Sequence, residues 1–106
     1  ALTRRRISAL PDNRPMPFPV KHNTARSRFE AHVDGHLCVA DYHLSGGVMH
    51  MTHTFVPPDV GGRGVAAALV RNAFAYAREQ GYRVDPACSY VRTYMRRHPE
   101  TQSLHA

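Results

Sequence analysis

The residues best suited to chemistry fall in one short window. The segment Val56-Pro57-Pro58-Asp59-Val60-Gly61-Gly62-Arg63-Gly64-Val65-Ala66-Ala67 places a glycine-rich turn after a strand-like run and before a helix-like one. Such a turn leaves backbone N–H groups without partners, and the helix dipole adds partial positive charge where they point. Phosphate oxygens bind there. Glycine lets the main chain approach the ligand, and small Ala66 and Ala67 keep the first helical turn from crowding it. The competing reading is a tight strand-to-helix connection with no ligand. Two other phosphate loops are excluded by context. A Walker loop needs Lys followed by Ser or Thr after its last glycine, where this chain has Val65-Ala66. A Rossmann loop follows the first strand of a parallel sheet, whereas this one follows an antiparallel meander.

A second set of reactive side chains lies further along. Cys88 precedes a predicted helix start, where the dipole lowers a thiol pKa, with Arg92 one turn on. It reads as a nucleophile, as part of an acceptor pocket, or as a small buried thiol at a strand end. Strict alternation along a strand places Met49, Met51, His53 and Phe55 on one face and His50, Thr52 and Thr54 on the other. A hydrogen-bonded core histidine is therefore one reading of His53. The same alternation separates His50 from His53, so their HxxH spacing cannot hold one ion, and no metal is expected.

The elements that must position these groups follow from pattern. Residues 1–19 carry Arg4, Arg5, Arg6 and four prolines without apolar periodicity, and are expected to be an extended or flexible arm. Residues 20–106 are expected to be one domain. Phe29, Ala31 and Val33 alternate with polar neighbours; Asp34-Gly35 then turns the chain into a run over residues 37–44. Ser45-Gly46-Gly47 turns it again into a strand over residues 48–56, which Pro57-Pro58 halts. After the glycines the period becomes helical through Val65, Ala66, Leu69, Val70, Ala73, Phe74 and Ala77, and Gly81 ends the helix near Gln80. Residues 82–86 read as a buried strand parallel to the third, and residues 89–97 as a last helix before Pro99.

With those elements in order, the chain resembles the GNAT acetyltransferases, whose loop motif reads Arg/Gln-x-x-Gly-x-Gly/Ala. Gly64 and Ala66 match its last two positions, and Gly61 stands where the family has Arg or Gln. More narrowly, it resembles a very small branch of that family. The matching segments are His53-Thr54-Phe55-Val56-Pro57, Pro86-Ala87-Cys88-Ser89-Tyr90 and Arg97-His98-Pro99-Glu100, and the likeness spans roughly residues 20–100.

The resemblance implies an α+β fold, an antiparallel meander followed by a strand-helix-strand unit with splayed strands and a short closing helix. It implies acetyl transfer from acetyl-CoA to an amine. The pantetheine arm pairs with Phe55 and Val56 in the wedge between strands, and a backbone donor near Val56 stabilises the tetrahedral oxyanion. The diphosphate lies on residues 62–67, with Gly61, Arg63, Ser89 and Arg97 counted among the cofactor-binding residues. His53 becomes a general base for the amine or for Cys88, and Tyr90 and Tyr94 become candidate proton donors to the departing thiolate or mere packing. Direct attack is preferred over an acetyl-Cys88 relay.

Composition agrees without deciding. Lys and Arg outnumber Asp and Glu by 14 to 8 in 106 residues, which suits a polyanionic partner such as CoA. Two other classes compete, a CoA-binding protein without turnover and a small basic nucleic-acid module. Scattered arginines and few identifiable stacking aromatics count against the latter. Cys38 and Cys88 fit no disulfide framework and read as reduced thiols. The absence of an apolar run long enough for a membrane span, or of a signal-like start, makes the cytoplasm the default and a membrane partner unexpected. An exposed meander edge leaves room for a monomer or a weak dimer.

Overall fold

A computed structural model describes residues 18–106, so the arm expected over residues 1–19 lies almost wholly outside the described residues. The elements are β1 (Lys21–Asn23), β2 (Arg28–Val33), β3 (His36–Ser45), β4 (Val48–Phe55), α1 (Val65–Gln80), β5 (Arg83–Asp85) and α2 (Ser89–Arg97). Short 3-10 turns occupy Thr24–Arg26, Pro58–Val60 and Pro99–Leu104. The five strands form one sheet in chain order, antiparallel from β1 to β4 and parallel between β4 and β5. The α+β architecture expected from the sequence is the one observed.

The turns form where their chemistry demands. Asp34 and Gly35 have φ of 50° and 79°, and Gly46 and Gly47 have 56° and 78°. Two successive positive φ values give the tight turn whose twist matches the flanking strands. Only glycine, and at lower frequency Asp or Asn, reaches them cheaply. Gly81, with φ 76°, ends α1 by donating to Ala77 and Arg78 carbonyls.

Both helices cover the same face of the sheet. Val65, Ala68, Leu69, Val70, Ala73, Phe74 and Ala77 form the buried stripe of α1, and Val91, Tyr94 and Met95 that of α2. They meet Phe29, Ala31, Val33, Cys38, Ala40, Tyr42, Met49 and Met51 in one core, and Phe74 and Tyr94 cross edge to face at 5.7 Å. Leu69 is fully buried, and its truncation to Ala is expected to cost about 2–5 kcal/mol. The opposite face has no helix on it among the described residues. It carries polar His50, His53 and Asp85 alongside buried Val39 and half-exposed Phe55.

One irregularity corrects the strand reading. The β3–β4 register pairs Ala40 with Thr54 and Asp41 with His53, then shifts so that Tyr42 meets Met51 and His43 meets His50. The extra residue on β4 is a β-bulge, and it reverses the alternation beyond it. Directly paired residues share a face. Thr54 therefore joins Met49 and Met51 on the helix side, while His53 and Phe55 turn to the uncovered side with His50. The expectation that His53 shares a face with Met51 is overturned, and so is the core-histidine reading: His53 is exposed.

Candidate active site

The glycine loop enters α1 with its donors available. Gly61 N–H closes onto the Pro58 carbonyl at 3.1 Å, and the next backbone bond is from Ala68 N–H to the Gly64 carbonyl, also 3.1 Å. Between them, among the described residues, the N–H groups of Gly62, Arg63, Gly64, Val65, Ala66 and Ala67 make no hydrogen bond of ordinary geometry. Gly62 and Gly64 hold φ of 77° and 84°, so a side chain at either would strain the backbone. A Cβ built on either would meet no protein atom within 4 Å, so the space in front of the loop is open. Gly61 differs from its neighbours. Its φ of −67° suits any residue, so backbone geometry does not explain the loss of the family's Arg or Gln there.

The β2–β3 turn braces this loop. Arg63 donates to Asp34 at 2.6 Å, and His36 lies 3.5 Å from Asp59. The Arg63 guanidinium is thus engaged by the protein's own carboxylate.

Beyond the loop, β4 and β5 part company. Their ladder consists of Val48 with Arg83, Met49 with Val84 and His50 with Asp85. Pro86 has no N–H to continue it, and the Ala87 N–H turns back onto the Asp85 carbonyl. The Cys88 N–H then returns to the Met51 carbonyl at 2.9 Å. From Thr52 to Phe55 that edge of β4 has no strand beside it among the described residues. Phe55 is 46% exposed there, and Val56 packs partly against the core.

Cys88 is the N-cap of α2 and is half-buried. Its Sγ lies 3.5 Å from Thr54 Oγ1. Burial pushes the thiol up, but the Thr54 hydroxyl and the N–H groups of Val91, Tyr90 and Thr54 favour the thiolate and bring it below the ordinary thiol range. None of the α2 donors forms a regular capping bond to the sulfur, so proximity and orientation carry the effect. Cys38, fully buried, moves the other way, because burial alone pushes its thiol up. Both cysteines are free thiols, in keeping with the sequence reading.

The tyrosines separate. Tyr94 is buried, stacked on His98 at 4.0 Å, and packs against Phe74. Tyr90 is 37% exposed; burial and Tyr94 raise its hydroxyl, while Arg71 and Arg97 pull it down, with a net upward shift. Ser89 opens α2 and Arg97 closes it, so they stand at opposite ends of the helix.

Two features lay beyond sequence reasoning. Thr54 reaches Cys88 only because of the bulge, which has no signature in the residue pattern. The His50–Asp85 pair, with Nδ1 2.8 Å from Oδ2, needs the β4–β5 register to be seen. Among the described residues no three His, Cys, Asp or Glu side chains are placed to hold a metal ion, and no helix is long and apolar enough to cross a membrane.

Comparison with known proteins places this α+β chain in a family. Residues 28–104 match the GCN5-related N-acetyl-transferase family, so the protein belongs to that family of acyltransferases. It is 29% identical over 91 residues to Protein NATD1 of Gallus gallus and of Mus musculus, covering 83% of this chain and 83% of each relative. Protein NATD1 of Homo sapiens matches at the same identity, with 80% of its length covered. The NMR structure of a GCN5-like protein from Staphylococcus aureus superposes with a TM-score of 0.68 at 21% identity, over 83% of this chain and 87% of that one, a likeness of fold.

Proposed function

We propose that the protein transfers an acetyl group from acetyl-CoA to a primary amine. The carrying observation is the run of unpaired N–H groups from Gly62 to Ala67 at the mouth of α1, beside the unpaired edge of β4. The diphosphate is held by those amides, as anions are at helix N-termini. The pantetheine lies along residues 52–56 of β4 and pairs with Phe55 and Val56. Ser89 and Arg97 serve the cofactor from α2. The Arg63 side chain, tied to Asp34, holds the loop's shape, and its backbone N–H serves the phosphate.

The thioester carbonyl then sits near Cys88, with the Thr54 N–H as oxyanion donor. That refines the sequence expectation of a donor near Val56, because the bulge turns Thr54 toward the cysteine. His53, exposed on the uncovered face, accepts a proton from the amine as the carbon–nitrogen bond forms. Tyr90 protonates the departing thiolate. Its raised pKa keeps the hydroxyl protonated at neutral pH, and its exposure favours it over buried Tyr94.

The depressed Cys88 pKa supports a second reading, in which the thiolate takes the acetyl group before the amine does. Acetyl-CoA turnover against a panel of primary amines, read by free-thiol release, tests the main reading. Mass spectrometry of the protein after mixing with acetyl-CoA alone tests the second, which predicts an acetylated Cys88. Failure of calorimetry to detect CoA binding would remove both.

A further inference from the structure

The uncovered face of the sheet carries a pair of side chains that the proposed reaction has not used. His50 and Asp85 are the last partners on β4 and β5 before the strands separate, and both point away from the helices. Asp85 Oδ2 lies 2.8 Å from His50 Nδ1. A carboxylate can only accept, so Nδ1 carries the proton and the lone pair is left on Nε2. His43 of β3 lies flat against the imidazole, with ring centroids 4.6 Å apart and planes 14° apart. The ring is thus held by a hydrogen bond at one nitrogen and a stacked plane on its face, while its other nitrogen is free to accept. The pair is reachable, with side-chain exposures of 27% for His50 and 43% for Asp85. Along the same face, His53 follows His50 toward the open end of β4, opposite Asp41.

The proton balance of amine acetylation calls for such a group. An alkylamine arrives at neutral pH as an ammonium ion. It must lose one proton before its nitrogen can attack and a second as the carbon–nitrogen bond forms. The carbon–sulfur bond breaks, and the leaving thiolate takes one proton back. Two deprotonations in each turnover give work to two bases, one ahead of the attack and one at the forming bond.

We propose that the His50–Asp85 dyad deprotonates the incoming ammonium on the uncovered face, and that His53 takes the second proton at the reaction centre. In this scheme, which rests on the acetyltransferase reading above, His50 Nε2 accepts the proton and Asp85 positions the ring. The accepted proton then passes to solvent from the exposed face. The amine therefore enters from the face opposite the helices. The substrate class is an alkylamine that is cationic at neutral pH.

The test compares two probe amines, benzylamine, which is protonated at neutral pH, and aniline, which is not. His50→Gln is expected to lower kcat/KM for benzylamine by about 100-fold, in the range typical of a lost general base, and to leave that for aniline unchanged. Asp85→Asn is expected to give the same selectivity with a smaller drop, and nitrogen-15 NMR should show His50 losing its fixed Nδ1–H tautomer. CoA affinity and melting temperature should match those of the parent protein in both variants. Equal losses for the two amines, or no loss for benzylamine, would overturn the dyad's role. A parent protein that binds CoA but acetylates no primary amine of the panel would overturn the transfer reading itself, and the dyad's role with it.

Discussion

Two helix N-termini lie on the same side of this sheet, and they use the same backbone physics to different ends. At α1 the cap is Gly64, which has no side chain, and the amides of the first turn have no protein partner among the described residues. At α2 the cap is Cys88, and the amides of Tyr90 and Val91 are aimed at its sulfur. Each helix offers orphan donors and a partial positive charge. The two ends differ in the capping residue, a glycine at one and a cysteine at the other. On the proposed reading, one cap leaves room for a bound diphosphate and the other sits beside a thiol of lowered pKa.

The largest effect is expected at Gly64. Gly64→Val forces a branched side chain into φ 84° and places it where the diphosphate would lie, so CoA affinity should fall by at least about 100-fold in a calorimetric titration. Unchanged affinity would separate the loop from the cofactor. At the other helix, Cys88 should react with iodoacetamide far faster than buried Cys38. The signs follow from their opposite shifts: thiolate forms at lower pH at Cys88 and at higher pH at Cys38. For Cys88 the folded state releases its proton before the unfolded one, so the thiol adds to stability above the ordinary thiol range. That increment is lost as pH falls through the lowered folded value.

Thr54→Val removes one donor to the Cys88 sulfur while keeping the side chain's shape. The alkylation midpoint of Cys88 should move upward in pH, with CoA affinity retained. Cys88→Ala should keep most of the transfer rate if attack is direct, and lose nearly all of it if the acetyl group passes through sulfur. The smallest effect is expected at Arg63. Arg63→Ala cuts an exposed ion pair to Asp34, for which melting experiments should find a loss of no more than about 1 kcal/mol.

Much of this architecture was legible in the chain. Asp34-Gly35 and Gly46-Gly47 announce their turns because few other residues tolerate the φ values required. Gly81 marks the end of α1 for the same reason. The helices carry their period in Leu69, Phe74, Val91 and Met95. The three-residue strand β1 was not legible, since Lys21, His22 and Asn23 have no apolar alternation; His22 is held by stacking on Phe29 at 4.1 Å, a tertiary contact. The bulge was hidden as well. It leaves residue types untouched and changes only which of them share a face, which is why His53 and Thr54 exchanged sides. The α1 cap could be read from glycines alone, but the α2 cap needed the fold to bring Thr54 to Cys88.

The proposed cofactor site rests on the amides from Gly62 to Ala67. Proton–nitrogen correlation spectra recorded during a CoA titration observe them one by one. Shifts that saturate at Gly62, Gly64, Val65, Ala66 and Ala67, while the β1–β2 strands stay still, are the predicted result. A titration that binds CoA and leaves those resonances in place would contradict it.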